Sequence, residues 1–416
     1  MAMTSASVPA EAVPQPGRWA MAVRGFLCQN VSVGCAFGGF GVAVGEIKAK
    51  YAVSMGLASM GLALAVLTMG LVSPLVARMI GHFGLRRTML TGLMLSGLGY
   101  VALAFAPNIY VVLAAFGLLI GIGIAMFGPF PASVLASNWF QPNAGGALGF
   151  VNMPVMVALV PLLGVALIKS QGLPTFFLAL AGIHVLLVPV VLGVIDAPPG
   201  MAAGGDAQGH GAESATSARA ILTRPVFWAV VVGAGCLSAA GIVGISHIVA
   251  FATERGLPDA DAALLLSIMG AASIIGSLLA GIIANRIGSA NTLALIGALI
   301  AGGWAVLYAT SFYPLLLMAT LVLGACGAGV FPAVNMLGAQ IFGVSALARV
   351  IGLFTLCTLP MNFLLPPAAG VLRDHSVNYN PVIVAIIAMA AAIMALFLIV
   401  ARAVGSRRAA PESASA

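Results

Sequence analysis

Ionised side chains are what this sequence has least of. Only 6% of its 416 residues are Asp, Glu, Lys or Arg, against roughly 25% in an ordinary soluble domain. So few charges cannot cover a water-facing surface, which excludes soluble enzymes and nucleic-acid readers. Acid is scarcer than base, with ten Asp and Glu in all, and none lies in the middle of a long apolar run to relay protons. Cysteine is sparse too. Cys28, Cys35, Cys236, Cys326 and Cys357 are dispersed, without metal-ligand spacing or a dense disulfide pattern. The Gly-x-Gly pieces lie within apolar runs and no Lys follows them, so they are not phosphate loops. The reading is of a non-enzyme with no metal, no cofactor and no ATP-driven step of its own. The first seventeen residues lack a basic stretch ahead of an apolar one and read as a tail, not a signal peptide.

What is present is hydrocarbon. Hydrophobic residues make up 62% of the chain. A bilayer core about 30 Å thick needs roughly 20 mostly apolar residues per helix. Reading from one charged or Pro/Gly break to the next predicts twelve spans, at 20–44, 53–78, 87–106, 109–135, 146–168, 175–195, 226–251, 261–284, 290–310, 313–338, 346–370 and 380–402. These runs are too long for barrel strands and lack their alternation. The stretch 196–224, with Pro198-Pro199-Gly200 and an Ala/Gly/Ser tract, cannot bury a core and reads as a flexible linker. The expected fold is an all-α membrane protein of twelve transmembrane helices in two pseudo-symmetric six-helix bundles. Its expected parts are a disordered tail (1–19), a first bundle (20–195), a cytoplasmic linker (196–224), a second bundle (225–403) and a C-terminal tail (404–416).

Lys and Arg set the expected orientation. With a cytoplasmic N-terminus, the inner segments hold Arg18, Arg24, Arg78, Arg86, Arg87, Arg219, Arg224, Arg286, Arg349, Arg402, Arg407 and Arg408. The outer ones hold Lys48, Lys50, Lys169, Arg255 and Arg373. The formal net charge of +7 thus reflects topology rather than an acidic ligand. Both termini are expected in the cytoplasm, and the chain in the inner or plasma membrane as a monomer surrounded by lipid.

The halves look related. Gly84-Leu85-Arg86-Arg87 after span two has a counterpart near Gly288 after span eight, Phe130-Pro131-Ala132 corresponds to Phe331-Pro332-Ala333, and Gly149 matches Gly352. All three offsets are a little over 200 residues. Two parallel repeats suit a transporter that rocks one half against the other around a midplane site.

On these features the chain resembles the major facilitator superfamily over nearly its whole length. A narrower likeness, to its monocarboxylate and oxalate:formate transporter branch, is carried by Gly121-Ile122-Gly123, Pro129, Asn138-Trp139-Phe140, Gly145 to Gly149, and Arg224-Pro225-Val226-Phe227-Trp228. The resemblance implies alternating-access transport of a monocarboxylate or similar organic anion, with a proton as a candidate co-substrate. It also assigns Gly84, Arg86, Arg87, Arg286 and Gly288 to the loops that steady one conformation. The departures are specific. Gly81 and His82 stand where that loop's Asp and Arg are expected, Asn285 replaces the second Asp, and Asn143 and Ala144 replace basic residues after Phe140. Ser277, Gly38-Gly39 and Cys357-Thr358 occupy the places of the branch's carboxylate-gripping cations.

An ionisable group at the bilayer centre costs about 2.5–3.5 kcal/mol on insertion scales and is a functional suspect by default. Glu46, Lys48, Lys50, Glu254, Arg255, Asp259, Asp261, Arg373 and Asp374 all fall at outer helix ends and read as solvated rim charge and caps, for example Asp259 ahead of span eight. Arg24 reads either as an arginine snorkelling to the inner headgroups or as a cation that pairs with an anionic substrate. His247, late in span seven, reads either as a proton-titrating group or as a hydrogen-bonded packing residue. His184 lies in span six, which the resemblance places at the lipid-facing periphery. Asn30, Asn152, Ser277, Asn335, Thr358 and Asn362 are the uncharged candidates for substrate contact, or for bonds between helices. Pro154, Pro161, Pro360, Pro366 and Pro367 are candidate kinks in spans five and eleven. The expectation is that Arg24 and the amides stand in for the missing cations. A neutral or amphipathic solute, or a solute sensor without flux, are the alternatives.

Overall fold

A computed structural model describes residues 17–140, 145–198, 218–343 and 347–409, with side chains except at 145–146, 347–349 and 404–409. Most of the expected tails and linker lie outside the described residues, as do Asn143 and Ala144. The described residues are helices joined by short turns: α1 (Arg18–Tyr51), α2 (Met55–Phe83), α3 (Leu85–Ala104), α4 (Ile109–Trp139), α5 (145–171), α6 (173–192), α7 (Pro225–Glu254), α8 (Asp259–Ile287), α9 (Ser289–Ala309), α10 (Tyr313–Phe342), α11 (Leu347–Asp374) and α12 (Asn380–Ala409).

Among the described residues, ten stretches are long and apolar enough to cross a bilayer. One of them, Ala147–Leu192, has 46 residues, about twice what a crossing needs. It reverses at Gly172 (φ 86°, ψ 167°), so that Phe176 packs back against Gly164. It therefore supplies two spans, α5 and α6. The twelfth helix, α3, is absent from the ten because Arg86, Arg87, Thr88, Thr91 and Ser96 dilute its apolarity. Gly84 (φ 82°, ψ 166°) and Gly288 (φ 89°, ψ 148°) make the same sharp turn in each repeat, a conformation glycine adopts without the Cβ penalty.

Most ends fall within a few residues of the expected spans, and the departures have local causes. The first helix runs on to Tyr51 because Lys48 and Lys50 fill its last turn, where cations complement the helix C-terminus. The eighth begins at Asp259. Its cap position is Pro258, and the Asp259 carboxylate makes an ion pair with Lys169 in place of the expected capping bond. Within the expected linker, Ala218–Leu222 form one helical turn and Asp196 is held in place.

The repeats diverge where the sequence does. The fourth helix breaks at Gly128 (ψ −142°) ahead of Pro129, and the fifth at Asn152–Pro154. The tenth and eleventh run unbroken through the matching positions, where Val330 and Cys357 replace the two prolines. Proline removes a backbone donor and clashes with the preceding turn, which fits both breaks, although Pro161, Pro332, Pro360, Pro366 and Pro367 lie inside helices that continue through them.

Helices α1–α6 pack among themselves, as do α7–α12. The halves meet along three seams, α2 with α11, α5 with α8, and α1 with α7. Glycines permit the tightest approaches. Added Cβ atoms at Gly276 and Gly324 would overlap Ala325 and the Met269 backbone between α8 and α10. Leu98, Val185, Leu186 and Ile399 on α3, α6 and α12, and Phe105 just after α3, are largely exposed. A water-facing surface rarely carries so large an apolar patch; a lipid-facing one does.

One end of the bundle carries the described chain termini and Asp196, and is called the linker end here. The other, where α1 meets α2 and α11 meets α12, is the distal end.

Candidate functional site

At mid-height in the first half, three helices lose their regularity together. The first widens into a π turn over Gly34–Gly38, where Gly34 lies against Met156 and Gly38 against Val157. The breaks in α4 and α5 face it. A break in a helix frees backbone groups that lipid cannot satisfy, and the nearby amides satisfy them. Asn30 Nδ2 donates to the carbonyls of Phe26 and Met153, each at 2.9 Å, and its Oδ1 accepts from the Met156 amide at 2.9 Å. Asn152 Nδ2 donates to Ser133 Oγ and to the Leu148 carbonyl, both at 3.0 Å. Ser133 in turn donates to the Pro129 carbonyl at 2.7 Å, which ties the two breaks to each other. Asn30 and Asn152 thus brace helices.

Other buried amides are not occupied in this way. Asn335 on α10 and Asn362 on α11 each carry a buried Oδ1 with no partner among the described residues, and so does Gln29 Oε1 on α1. A buried acceptor without a partner costs about 1–3 kcal/mol, and such orphans call for water or a bound molecule. Thr358 is buried against Gly235 of α7 and donates to its own helix, to Thr355 O at 3.0 Å. Ser277 makes a long bond to Ile274 O at 3.4 Å.

Arg24 lies at the linker end. Its guanidinium rests on Gly193 at the end of α6, with Nη1 3.6 Å from the Met21 sulfur. A cation beside the C-terminus of a helix is favourably placed. His247 is 1% exposed. Its Nε2 is 3.0 Å from the Pro366 carbonyl and its Nδ1 is 3.1 Å from the Tyr379 hydroxyl. A carbonyl only accepts, so the network assigns the proton to Nε2 and leaves Nδ1 to accept from Tyr379. Burial, with Glu254 adding to it, pushes the Tyr379 phenol well above its usual range, so it stays a donor. His184 is also buried, packed between Tyr100 and Phe127 and bonded through Nδ1 to Leu180 O. It faces protein, not the lipid expected for span six.

Two carboxylates do more than their positions in the sequence imply. At the linker end, Asp196 caps α3, accepting from the amides of Leu85 (2.8 Å) and Arg86 (3.2 Å). Asn138 and Trp139 bond the adjacent carbonyls of Asp196 and Ile195. An acid therefore does stand beside Gly84 and Arg86, supplied from the end of α6 and not from the loop itself. At the distal end, Asp374 of α11 accepts from the amides of Met55 (3.0 Å) and Gly56 (2.9 Å), the first residues of α2. Ser59 Oγ approaches the Pro366 carbonyl at 3.4 Å. Arg373 pairs with Glu254 at 2.8 Å, and Glu254 also accepts from the Tyr379 amide. Gln29, Ser133, Asp196, Asp374 and Tyr379 are the residues sequence reasoning did not single out as functional. The signal for Asp196 and Asp374 is an acid four or fewer residues beyond the end of an apolar run, which is also the signal of an ordinary rim charge.

The comparisons with known proteins agree with this architecture. A family model described as Major Facilitator Superfamily matches residues 26–357 and again 248–415. Monocarboxylate transporter 11 of Homo sapiens is 25% identical over 401 residues, covering 90% of this chain and 82% of the relative. Monocarboxylate transporter 4 of Rattus norvegicus is 28% identical over 218 residues, covering 50% of this chain and 45% of the relative, so that match spans under half the relative's length. Among solved structures, the nucleoside transporter NupG superposes with a TM-score of 0.73 at 13% identity, covering 92% of this chain and 99% of that one. A bacterial homolog of the human lysosomal transporter Spinster, inward-facing and unoccupied, superposes with a TM-score of 0.69 at 15% identity, covering 94% and 96%.

Proposed function

The chain belongs to the Major Facilitator Superfamily, and from that premise we propose that it is a secondary transporter that moves a small organic acid by alternating access. One observation carries the rocking mechanism. Between described residues, every hydrogen bond and ion pair that joins the two halves lies at the distal end, at Asp374–Met55, Asp374–Gly56, Ser59–Pro366 and Lys169–Asp259. In this reading the halves are bonded at the distal end, which suits one of the two states a rocking carrier needs. With the termini in the cytoplasm of a cell inner membrane, this is the inward-facing state of two bundles, 20–195 and 225–403.

The solute class rests on the likeness to monocarboxylate transporters and on the chemistry left at mid-height. Asn335 and Asn362, with Gln29, have carbonyl oxygens without partners among the described residues, and we count Ser277 and Thr358 with them as candidate contacts. These groups suit a solute that brings its own hydrogen-bond donors, such as an organic acid carried with its proton. In this reading the proton travels on the solute or through His247, which the distal seam shelters. Arg24, Asn30 and Asn152 hold the helices that frame the site. A second reading, a neutral or amphipathic solute, is favoured by the uncharged character of the same mid-height groups.

Counterflow in proteoliposomes tests the proposal. A panel of small monocarboxylates, neutral isosteres and amphipathic compounds is offered as competitors, with and without a pH gradient. Competition by acids that deepens when the entry side is acidified supports the first reading. Competition by the neutral members alone establishes the second, and binding without counterflow removes transport.

A further inference from the structure

We propose that Asp374 is the latch of the distal gate, a positioning residue in the second half that holds α2 of the first half by its N-terminus. The first amides of a helix have no partner within it and together carry a partial positive charge. In α2, Ser54 satisfies the Leu57 amide from within the chain at 3.1 Å. The amides of Met55 and Gly56 are satisfied from the other half, one by each oxygen of the Asp374 carboxylate, at 3.0 and 2.9 Å. The capping function that a helix ordinarily finds nearby is here divided between its own chain and the opposite bundle.

The surroundings fit a contact built to close and open. Gly56 and Gly370 let α2 and α11 touch. A Cβ at Gly370 would come within 2.7 Å of the Gly56 Cα, and one at Gly56 within 2.6 Å of a Val371 methyl. The carboxylate faces these amides without a cation beside it from α2. The neighbouring Arg373 is turned away into its pair with Glu254 on α7, within the second half. The seam therefore holds two charge-assisted bonds, which are stronger than neutral ones yet are lost together when one carboxylate leaves. The related seam between α5 and α8 is joined by Lys169 and Asp259, whose side chains are about half exposed (57% and 49%). An exposed pair contributes little, so the load falls on Asp374.

Spin labels at Lys50→Cys and Val377→Cys test the latch without touching it. Both positions are exposed at the distal end, one in each half, and the five native cysteines are buried or half-buried. In the full chain in lipid nanodiscs, the expected distance distribution is dominated by one short population. Asp374→Asn, which preserves shape, and Asp374→Ala raise the ratio of a longer, distal-open population about tenfold, as loss of charge-assisted bonds implies. Met55→Pro removes one donor from the other partner at the first helical position, where proline is accommodated, and shifts the ratio in the same direction by less. Because the readout is a distance and not a flux, it stands whether or not the solute reading holds. If Asp374→Asn and Met55→Pro both yield monodisperse protein with the parent distribution, the latch is overturned.

Discussion

The bonds at the two ends of this molecule differ in what they join. At the linker end, Asp196, Asn138 and Trp139 tie α6 to α3 and α4 inside the first half, and Arg24 rests on Gly193 of the same half. At the distal end, Asp374, Ser59 and Lys169 reach across from one half to the other. Bonds within a half are kept whichever end is open, so they contribute to the stability of every state. Bonds between halves exist in one state only, so they contribute to the balance between states. One chemistry, a carboxylate on the N-terminus of a helix, serves both purposes, with Asp196 in the first role and Asp374 in the second.

That distinction is open to attack by substitution, and the largest effect is expected inside a half. Asn30→Ala leaves the Met153 carbonyl and the Met156 amide without their partner at the α5 break. It should lower unfolding stability by about 3 kcal/mol, read as an earlier thermal transition of the detergent-solubilised protein. The spacing between labels at residues 50 and 377 should remain that of the parent. A shifted spacing would mean that the braces also set the state. Asp196→Ala removes the cap of α3 and should cost about 1–2 kcal/mol by the same thermal measurement, again with no change in spacing.

Across the halves the expectation reverses. Ser59→Ala removes the 3.4 Å contact to Pro366, along with a 3.0 Å bond to Gly56 O in its own helix, and should raise the distal-open to distal-closed ratio about twofold, a fraction of a kcal/mol, with little effect on melting. Lys169→Ala breaks a half-exposed pair worth about 0–1 kcal/mol. Its effect on the ratio should be the smallest of the set and should disappear in about 1 M salt, where screening acts over about 3 Å. A Lys169 variant that opens the distal end as readily as Asp374→Ala would place the latch on the wrong seam.

The repeats add a second contrast. Pro129 and Pro154 break α4 and α5, and asparagines on α1 and α5 are occupied in mending those breaks. With Val330 and Cys357 at the matching positions α10 and α11 are continuous, and there the asparagine oxygens at 335 and 362 have no partner among the described residues. The same residue type braces broken helices in one half and, among the described residues, leaves its oxygen unpartnered in the other. Nothing in the local sequence around Asn30 or Asn335 separates the two. The difference lies in whether a neighbouring helix offers loose backbone groups, and that depends on residues over a hundred positions away.

This divides what was legible in the sequence from what was not. The bilayer, the helices, the repeat and the turns at Gly84 and Gly288 follow from apolar run length, charge placement and glycine chemistry, all of which act over a few residues. Span ends were harder, as with α1 running on to Tyr51, because terminal lysines extend a helix as readily as they mark its exit. Among the site candidates, the sequence identified the polar residues that the membrane makes costly but not their partners. His247 meets Tyr379 and Pro366 from α7, and Asp374 meets α2 from the far end of the chain. A membrane makes an unpartnered polar group costly, and so makes such residues conspicuous from composition alone. Which partner each one finds, and where the two halves are bonded to each other, was decided only when the helices packed. A hydrogen bond depends on distance and direction in space, which position along the chain does not encode.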